Sequence, residues 1–219
     1  MQKNSIIKLV YFDFPFWRVD ICKLALSIGK IDYIDEVITK KYFIKNKDKG
    51  FFPFGQVPIL VINKTTIAQT SAMIRYCGKL SNLYSLNNMD CALIDQTIDY
   101  ANDLTNLIIP SIREKNETLK KELRVELEKK VLPKLLIYLE RFYLKNNTSN
   151  FFVTQNFSIS DIIIWRILLW ISSGKLEHIS SELLNKTPKI KEYFHFISNY
   201  EPLIQTLEYK KIMSNQTTL

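Results

Sequence analysis

The segment Gly55-Gln56-Val57-Pro58-Ile59-Leu60 holds the residue types and spacing that come nearest to a chemistry. A proline opening a strand cannot donate to the ladder there. One solution is a cis Val57–Pro58 bond, which costs only about 0.5–1 kcal/mol for X-Pro. That turn leaves the Val57 N–H and C=O facing outward, ready to pair with an extended peptide. The other reading is an edge strand that simply begins with proline. Further on, Gln69-Thr70 stand where a strand hands over to a helix. The free N–H groups and positive dipole end of a helix favour a carboxylate at that point, and Thr70 also serves as a plain N-cap. His178 and His195 have no companions at metal-ligand spacing, so no metal site is expected. Cys22, Cys77 and Cys91 are odd in number and lack C-x-x-C spacing, so they read as reduced thiols in helical cores.

These residues need a scaffold, and the pattern of the chain supplies one in two unlike parts. Residues 6–11 form a short β-prone run, followed by a helical pattern over 15–28 that Gly29 closes. Residues 31–38 read as a second strand, and a basic, aromatic, poorly periodic stretch with loose helical character runs through Gly50. Residues 57–62 and 65–68 form a hairpin about Asn63-Lys64, and 70–80 a helix. After the polar linker 81–88 the strand signals stop. Residues 90–112 are helical, and 119–143 form a long amphipathic helix that Pro133 should kink. Ser158-Ile159-Ser160-Asp161 opens the most apolar helix of the chain in the manner of a capping box. Two more helical segments, 188–198 and 203–213, follow. The expectation is an α/β domain over residues 1–81, of order βαβαββα, and an all-α domain over residues 89–219.

With 219 residues, 47% hydrophobic and 24% charged, the chain can bury a sizeable core without disulfides or metal. Its longest apolar run, 162–171, is interrupted by Arg166 and falls short of the ~18–20 residues that span a bilayer. Lys8 and Asp13 break the N-terminal apolar stretch, so no secretory signal is expected and a cytoplasmic location is. The formal charge of +8 comes from lysines interspersed with acids, as in Lys120-Lys121-Glu122. No nucleic-acid-binding motif accompanies it, so neither nucleic acid nor a membrane is expected as a partner.

Gln56-Val57-Pro58-Ile59-Leu60 followed by Ala68-Gln69-Thr70-Ser71-Ala72-Met73-Ile74-Arg75-Tyr76 resembles the glutathione-binding half of cytosolic glutathione transferases. That family pattern runs Gly/Gln-x-Val/Ile-Pro-x-Leu, then Gln-Ser-x-Ala-Ile-x-Arg-Tyr. Residues 132–140 and the Ser158–Asp161 box resemble the family's fifth helix and the cap of its sixth, so the likeness covers nearly the whole chain. The resemblance implies a thioredoxin-like N-terminal domain, an all-helical C-terminal domain, and a homodimer. Glutathione would be a co-substrate, with no permanently bound cofactor.

Roles follow from the resemblance residue by residue. The Val57 main chain, next to cis Pro58, would pair with the cysteinyl unit of glutathione. Gln69 and Thr70 would hold the γ-glutamyl carboxylate, and Gln56 would lie near the tripeptide backbone. Lys49, with Lys45 where an indole often stands, would hold the glycyl carboxylate. Asp103 would reach across a dimer to the γ-glutamyl amine, and Phe54 falls where many members insert an aromatic side chain into the partner subunit. Tyr11 matches the catalytic hydroxyl of the tyrosine-type, sigma- and pi-like classes. Phe14, Phe16 and Trp17 would line the start of a flat-walled electrophile pocket. The run Phe14-Pro15-Phe16-Trp17-Arg18-Val19-Asp20 is about one residue longer than the sigma and pi pattern, and no cysteine starts the helix, which disfavours thiol exchange.

The magnitudes suit a phenol activator. A free thiol of pKa ~8.5 is about 3% ionised at neutral pH, and lowering that pKa by ~2 units takes about 2.7 kcal/mol. One charge-assisted hydrogen bond supplies roughly 1.5–3 kcal/mol, and a helix N-terminus adds ~0.3–1 kcal/mol. The implied activity is conjugation of the glutathione thiolate to hydrophobic electrophiles, with minor peroxidase or isomerase activity. The alternative is a protein of the same fold that sequesters hydrophobic anions such as haem or fatty acids.

Overall fold

A central strand needs apolar residues on both faces, and β1 (Ile7–Tyr11) has them, with only Lys8 less than fully buried. In the computed structural model, which describes residues 6–147 and 149–217, β1 pairs in parallel with β2 (Ile34–Val37) and antiparallel with β3 (Ile59–Ile62). The hairpin partner β4 (Thr65–Ala68) completes a sheet of order β2-β1-β3-β4. The edge strands carry the polar residues: β2 is largely exposed and β4 only half-buried. The ends that the sequence reading gave its two domains, at residues 1 and 219, lie outside the described residues.

The helices of this half are α1 (Trp17–Ile28), α2 (Lys40–Asn46) and α3 (Thr70–Leu80). α1 packs on α3 and on β1. The closeness of the two helices is set at their C-terminal ends. A Cβ on Gly29 would lie 2.7 Å from Cβ of Ser81, so only glycine fits there. Val10, Ile38, Phe52 and Ile59 form a second apolar cluster, with Phe12, Phe43 and Val57 packed against it.

The remaining helices are α4 (Asn88–Arg113), α5 (Glu117–Glu126), α6 (Leu132–Asn146), α7 (Ile159–Ile171), α8 (Pro188–Ser198), the single turn α9 (Glu201–Ile204) and α10 (Leu207–Thr217). α4 buries Ile94, Ile98, Ala101, Leu104 and Ile108 at helical spacing and packs them on α7. α7 is nearly all buried, as its predominantly apolar sequence requires, and it carries Ser160, Asp161 and Arg166 into the interior with it. The sequence reading expected one kinked helix over 119–143. The structure instead has α5 and α6 joined by a π turn, Leu127–Val131. Pro133 has no N–H for the carbonyl four residues back, and the helix accommodates it with a widened turn just upstream rather than a bend alone.

The cap of α7 is a closed polar network. Asp161 is wholly buried, and its carboxylate accepts from Ser158 N–H at 2.8 Å, the Ser158 hydroxyl at 3.2 Å, Phe152 N–H at 2.8 Å and the Tyr193 hydroxyl at 2.9 Å. Burial pushes its pKa up to about 6 against the downward pull of those four donors.

The chain divides into two compact units, residues 6–85 with 202–217, and residues 86–201. The C-terminal stretch therefore belongs with the sheet unit, whereas the sequence reading assigned it to the helical half. A polar anchor explains why. Glu208 of α10 accepts from the Ser27 hydroxyl at 2.5 Å and the Tyr33 hydroxyl at 2.8 Å, and Ile212 is buried. Partial burial pushes the Glu208 carboxyl upward, but the two hydroxyl bonds outweigh it and hold it below the usual range. Replacing Glu208 with alanine is expected to weaken the docking of α10 by about 1–2 kcal/mol. Amide exchange should then quicken roughly tenfold or more in 207–217 while β1 and β3 keep their protection. Unchanged exchange in α10 would show that the anchor is idle.

Among the described residues no helix is long and apolar enough to cross a membrane.

Candidate active site

Strand register assembles the site. Val10, Ile59 and Ala68 face one another across β1, β3 and β4. The next residue in the same direction on each strand is Tyr11, Pro58 and Gln69. These three therefore sit side by side at one end of the sheet, spanning two strand spacings or about 10 Å. On the other side of Tyr11, the register places Val37 of β2.

Tyr11 ends β1 with its side chain 7% exposed. Its ring lies 5.2 Å from that of Phe14, edge to face, and 5.4 Å from that of Phe12. Burial pushes the phenol above its ordinary pKa, the Arg18 guanidinium pulls it down, and Asp20 pushes it up. The net result is a phenol that keeps its proton at neutral pH and is able to donate a hydrogen bond. Arg18 was not singled out in the sequence. Its place one helical residue after the buried Trp17 gives it a charge that reaches Tyr11, and only the path of the chain between β1 and α1 reveals that.

The Val57–Pro58 bond is cis. Val57 lies one step beyond the β1–β3 ladder, which ends at Val10 and Ile59. Its side chain is half-buried and packs on the Val10–Phe52 cluster, while Gln56 before it is exposed. Gln69 holds φ 70° and ψ 119° as the residue preceding α3. A glutamine at positive φ is strained by about 1–3 kcal/mol, and such strain clusters at functional positions. Its carbonyl accepts from Met73 N–H, its side chain is exposed, and Thr70 behind it is buried. The N–H groups of the first turn of α3 thus open at the same sheet end as Tyr11 and Pro58.

Not every expected residue joins this row. Lys45 on α2 and Lys49 beyond it are exposed, and no described residue forms an ion pair with either. Asp103 is exposed on α4, in the helical unit. It lines an apolar cavity of about 420 Å³ with Gln96, Tyr100, Tyr138 and Phe142.

The electrophile wall needs one correction. Trp17 is fully buried, its Nε1 has no hydrogen-bond partner among the described residues, and the Arg18 guanidinium lies 5.8 Å from its ring. It is a core residue of α1 and presents nothing to a ligand. Phe16 is half-buried as the residue before α1. Phe14 is 46% exposed, and with Phe12, Val37 and Ile212 it forms the apolar part of a cavity of about 460 Å³ in the sheet unit that is otherwise lined by charged groups, among them Asp20, Lys23, Asp35, Glu208 and Lys211. The sequence offered no signal for Lys211 or Ile212, because their approach depends on α10 returning to α1.

The arrangement can hold an extended peptide along Val57, place a carboxylate at the start of α3, and aim a neutral phenol at a group between them. A family model described as glutathione S-transferase, C-terminal domain, matches residues 102–207. The glutathione S-transferase of Plasmodium falciparum is 28% identical over 212 residues, covering 88% of this chain and 90% of that protein. Glutathione S-transferase A4 of Homo sapiens is 25% identical over 192 residues, covering 87% and 83%. Among solved structures, the Pi-class glutathione S-transferase of Onchocerca volvulus superposes with a TM-score of 0.77 at 24% identity, covering 96% of this chain and 93% of that one.

Proposed function

The chain belongs to the cytosolic glutathione S-transferase family, and from that premise we propose that it joins the glutathione thiolate to hydrophobic electrophiles with Tyr11 as the catalytic hydroxyl. The observation that carries this reading is the row Tyr11, Pro58, Gln69 at one sheet end. The tripeptide pairs with the main chain of Val57, its γ-glutamyl carboxylate meets the Gln69–Thr70 turn, and Lys45, Lys49 and Gln56 hold its glycyl end and backbone. Tyr11 donates its proton in a hydrogen bond to the sulfur, and the Arg18 charge adds to the stabilisation. The thiol proton leaves to solvent. The sulfur lone pair then forms the S–C bond as the electrophile releases its leaving group, or shifts its π electrons in an addition. Binding holds the two reactants together, and the hydrogen bond keeps the sulfur ionised. Phe14 and Phe16 receive the electrophile. Isothermal titration with glutathione tests the binding half. Saturable heat that disappears when Gln69 is replaced by alanine supports the site, and the absence of any heat with the wild type contradicts it.

The working form is a homodimer. Phe54 is 64% exposed, and the helical unit carries the apolar cavity between Tyr100, Tyr138 and Phe142. A projecting ring and an apolar cavity on each chain would supply the self-complementary pair that a two-fold interface needs. The same interface would bring Asp103 to the γ-glutamyl amine bound by the partner. Phe54→Ser is expected to convert a dimer to a monomer in light scattering, since a buried aromatic anchor is worth several kcal/mol. A wild-type protein of single-chain mass would contradict the dimer.

A further inference from the structure

The cavity of the helical unit has room for more than one aromatic side chain. Thr97, Leu139, Phe152 and Ile164 line it from the buried side. Tyr100, Tyr138 and Phe142 add aromatic walls, the Phe142 ring 5.9 Å from that of Phe152. Gln96, Asp99 and Asp103 recur at helical spacing along α4 and form an exposed rim. A cavity of about 150 Å³ already takes a benzene ring, so a single Phe54 ring would leave more than half of these 420 Å³ empty.

The charge of the cavity runs against that of the chain. Two carboxylates and no lysine, arginine or histidine line it, in a protein of formal charge +8. No described residue forms an ion pair or a hydrogen bond with the Asp103 side chain. The Lys134 ammonium lies 5.8 Å from the Tyr138 ring, so this wall already accepts positive charge.

We propose that this cavity binds an organic cation with a fused aromatic body, its rings among Tyr100, Tyr138 and Phe142 and its charge at Asp103, and that this ligand and the Phe54 ring of a second copy exclude each other. The exclusion rests on the dimer proposed above, whereas the binding rests on the cavity alone. The rings gain buried apolar area and ring contacts, and the rim selects the sign of the charge. A neutral ligand of the same shape gains only the first part. An anion meets two like charges, so a carrier of hydrophobic anions would not use this cavity.

Fluorescence titration of the full chain at neutral pH with three tricyclic probes tests this: cationic 9-aminoacridine, neutral acridine and anionic 9-anthracenecarboxylate. The Phe54→Ser chain should bind 9-aminoacridine about tenfold more tightly than acridine, the effect of one charge pair with a ring contact, and the anion most weakly. Asp103→Asn in that background should bring 9-aminoacridine to the affinity of acridine and leave acridine unchanged. A dimeric wild type, with Phe54 in place, should bind 9-aminoacridine about tenfold more weakly than Phe54→Ser, and saturating probe should halve its mass in light scattering. Equal affinity for the three probes, tighter binding of the anion, or an affinity for 9-aminoacridine that Asp103→Asn leaves unchanged overturns the site. Equal binding by Phe54→Ser and a dimeric wild type overturns the exclusion. A wild type of single-chain mass overturns the dimer and the exclusion with it, and the three probes then decide the cavity on the wild type itself.

Discussion

Tyr11→Phe is expected to lower kcat/KM for conjugation of chlorodinitrobenzene by about ten- to a hundredfold at neutral pH while leaving glutathione binding nearly unchanged. The variant keeps the ring that packs on Phe12 and Phe14 and removes only the oxygen. A charge-assisted hydrogen bond is worth roughly 1.5–3 kcal/mol, which converts to that range of rates. The loss should shrink as the pH rises toward the free thiol pKa of ~8.5, because glutathione then ionises without help. Arg18 supplies part of the same field, so some activity survives the loss of the phenol. A loss equal at all pH values would point to disturbed packing rather than to a missing donor.

Asp161→Ala is expected to destabilise the protein by about 3–5 kcal/mol in urea unfolding. It strands the Phe152 and Ser158 N–H groups and the Tyr193 hydroxyl in an interior where none can reach water, and each orphaned donor costs about 1–3 kcal/mol. The effect also depends on pH. The folded-state pKa of about 6 lies above the ordinary 3.8, so between those values the folded chain binds more protons than the unfolded one. Stability from this group is then fully present below about pH 4 and is lost as the pH rises through about 6. The wild type should gain on the alanine variant by up to roughly 3 kcal/mol as the pH falls from 7 to 4. A constant gap would mean that Asp161 is ionised throughout.

The parts of this protein that were legible in the sequence are those set by neighbours along the chain. Val57-Pro58 and Gln69-Thr70 each mark a strand end by local backbone chemistry, and the hairpin at Asn63-Lys64 brings them to the same edge. The Ser158–Asp161 cap is likewise local, with the donor Ser158 and the acceptor Asp161 only three positions apart. What escaped depends on residues far apart. Trp17 carries an aromatic ring suited to a pocket wall, but α1 turns it into the core. The return of α10 rests on Glu208 meeting Ser27 and Tyr33 across more than 170 positions, and no periodicity encodes such a pair. The widened turn before Pro133 shows a third limit, since a proline announces that a helix must adapt but not how.

The charged state of the bound sulfur is the point on which catalysis turns. Ultraviolet titration of the thiolate in the complex with glutathione, for the wild type and for Tyr11→Phe, measures it directly. The account predicts a bound-thiol pKa about 2 units below the free value of ~8.5 in the wild type, rising most of the way back in the variant. A bound thiol that titrates near its free value in the wild type, or identically in both proteins, would contradict it.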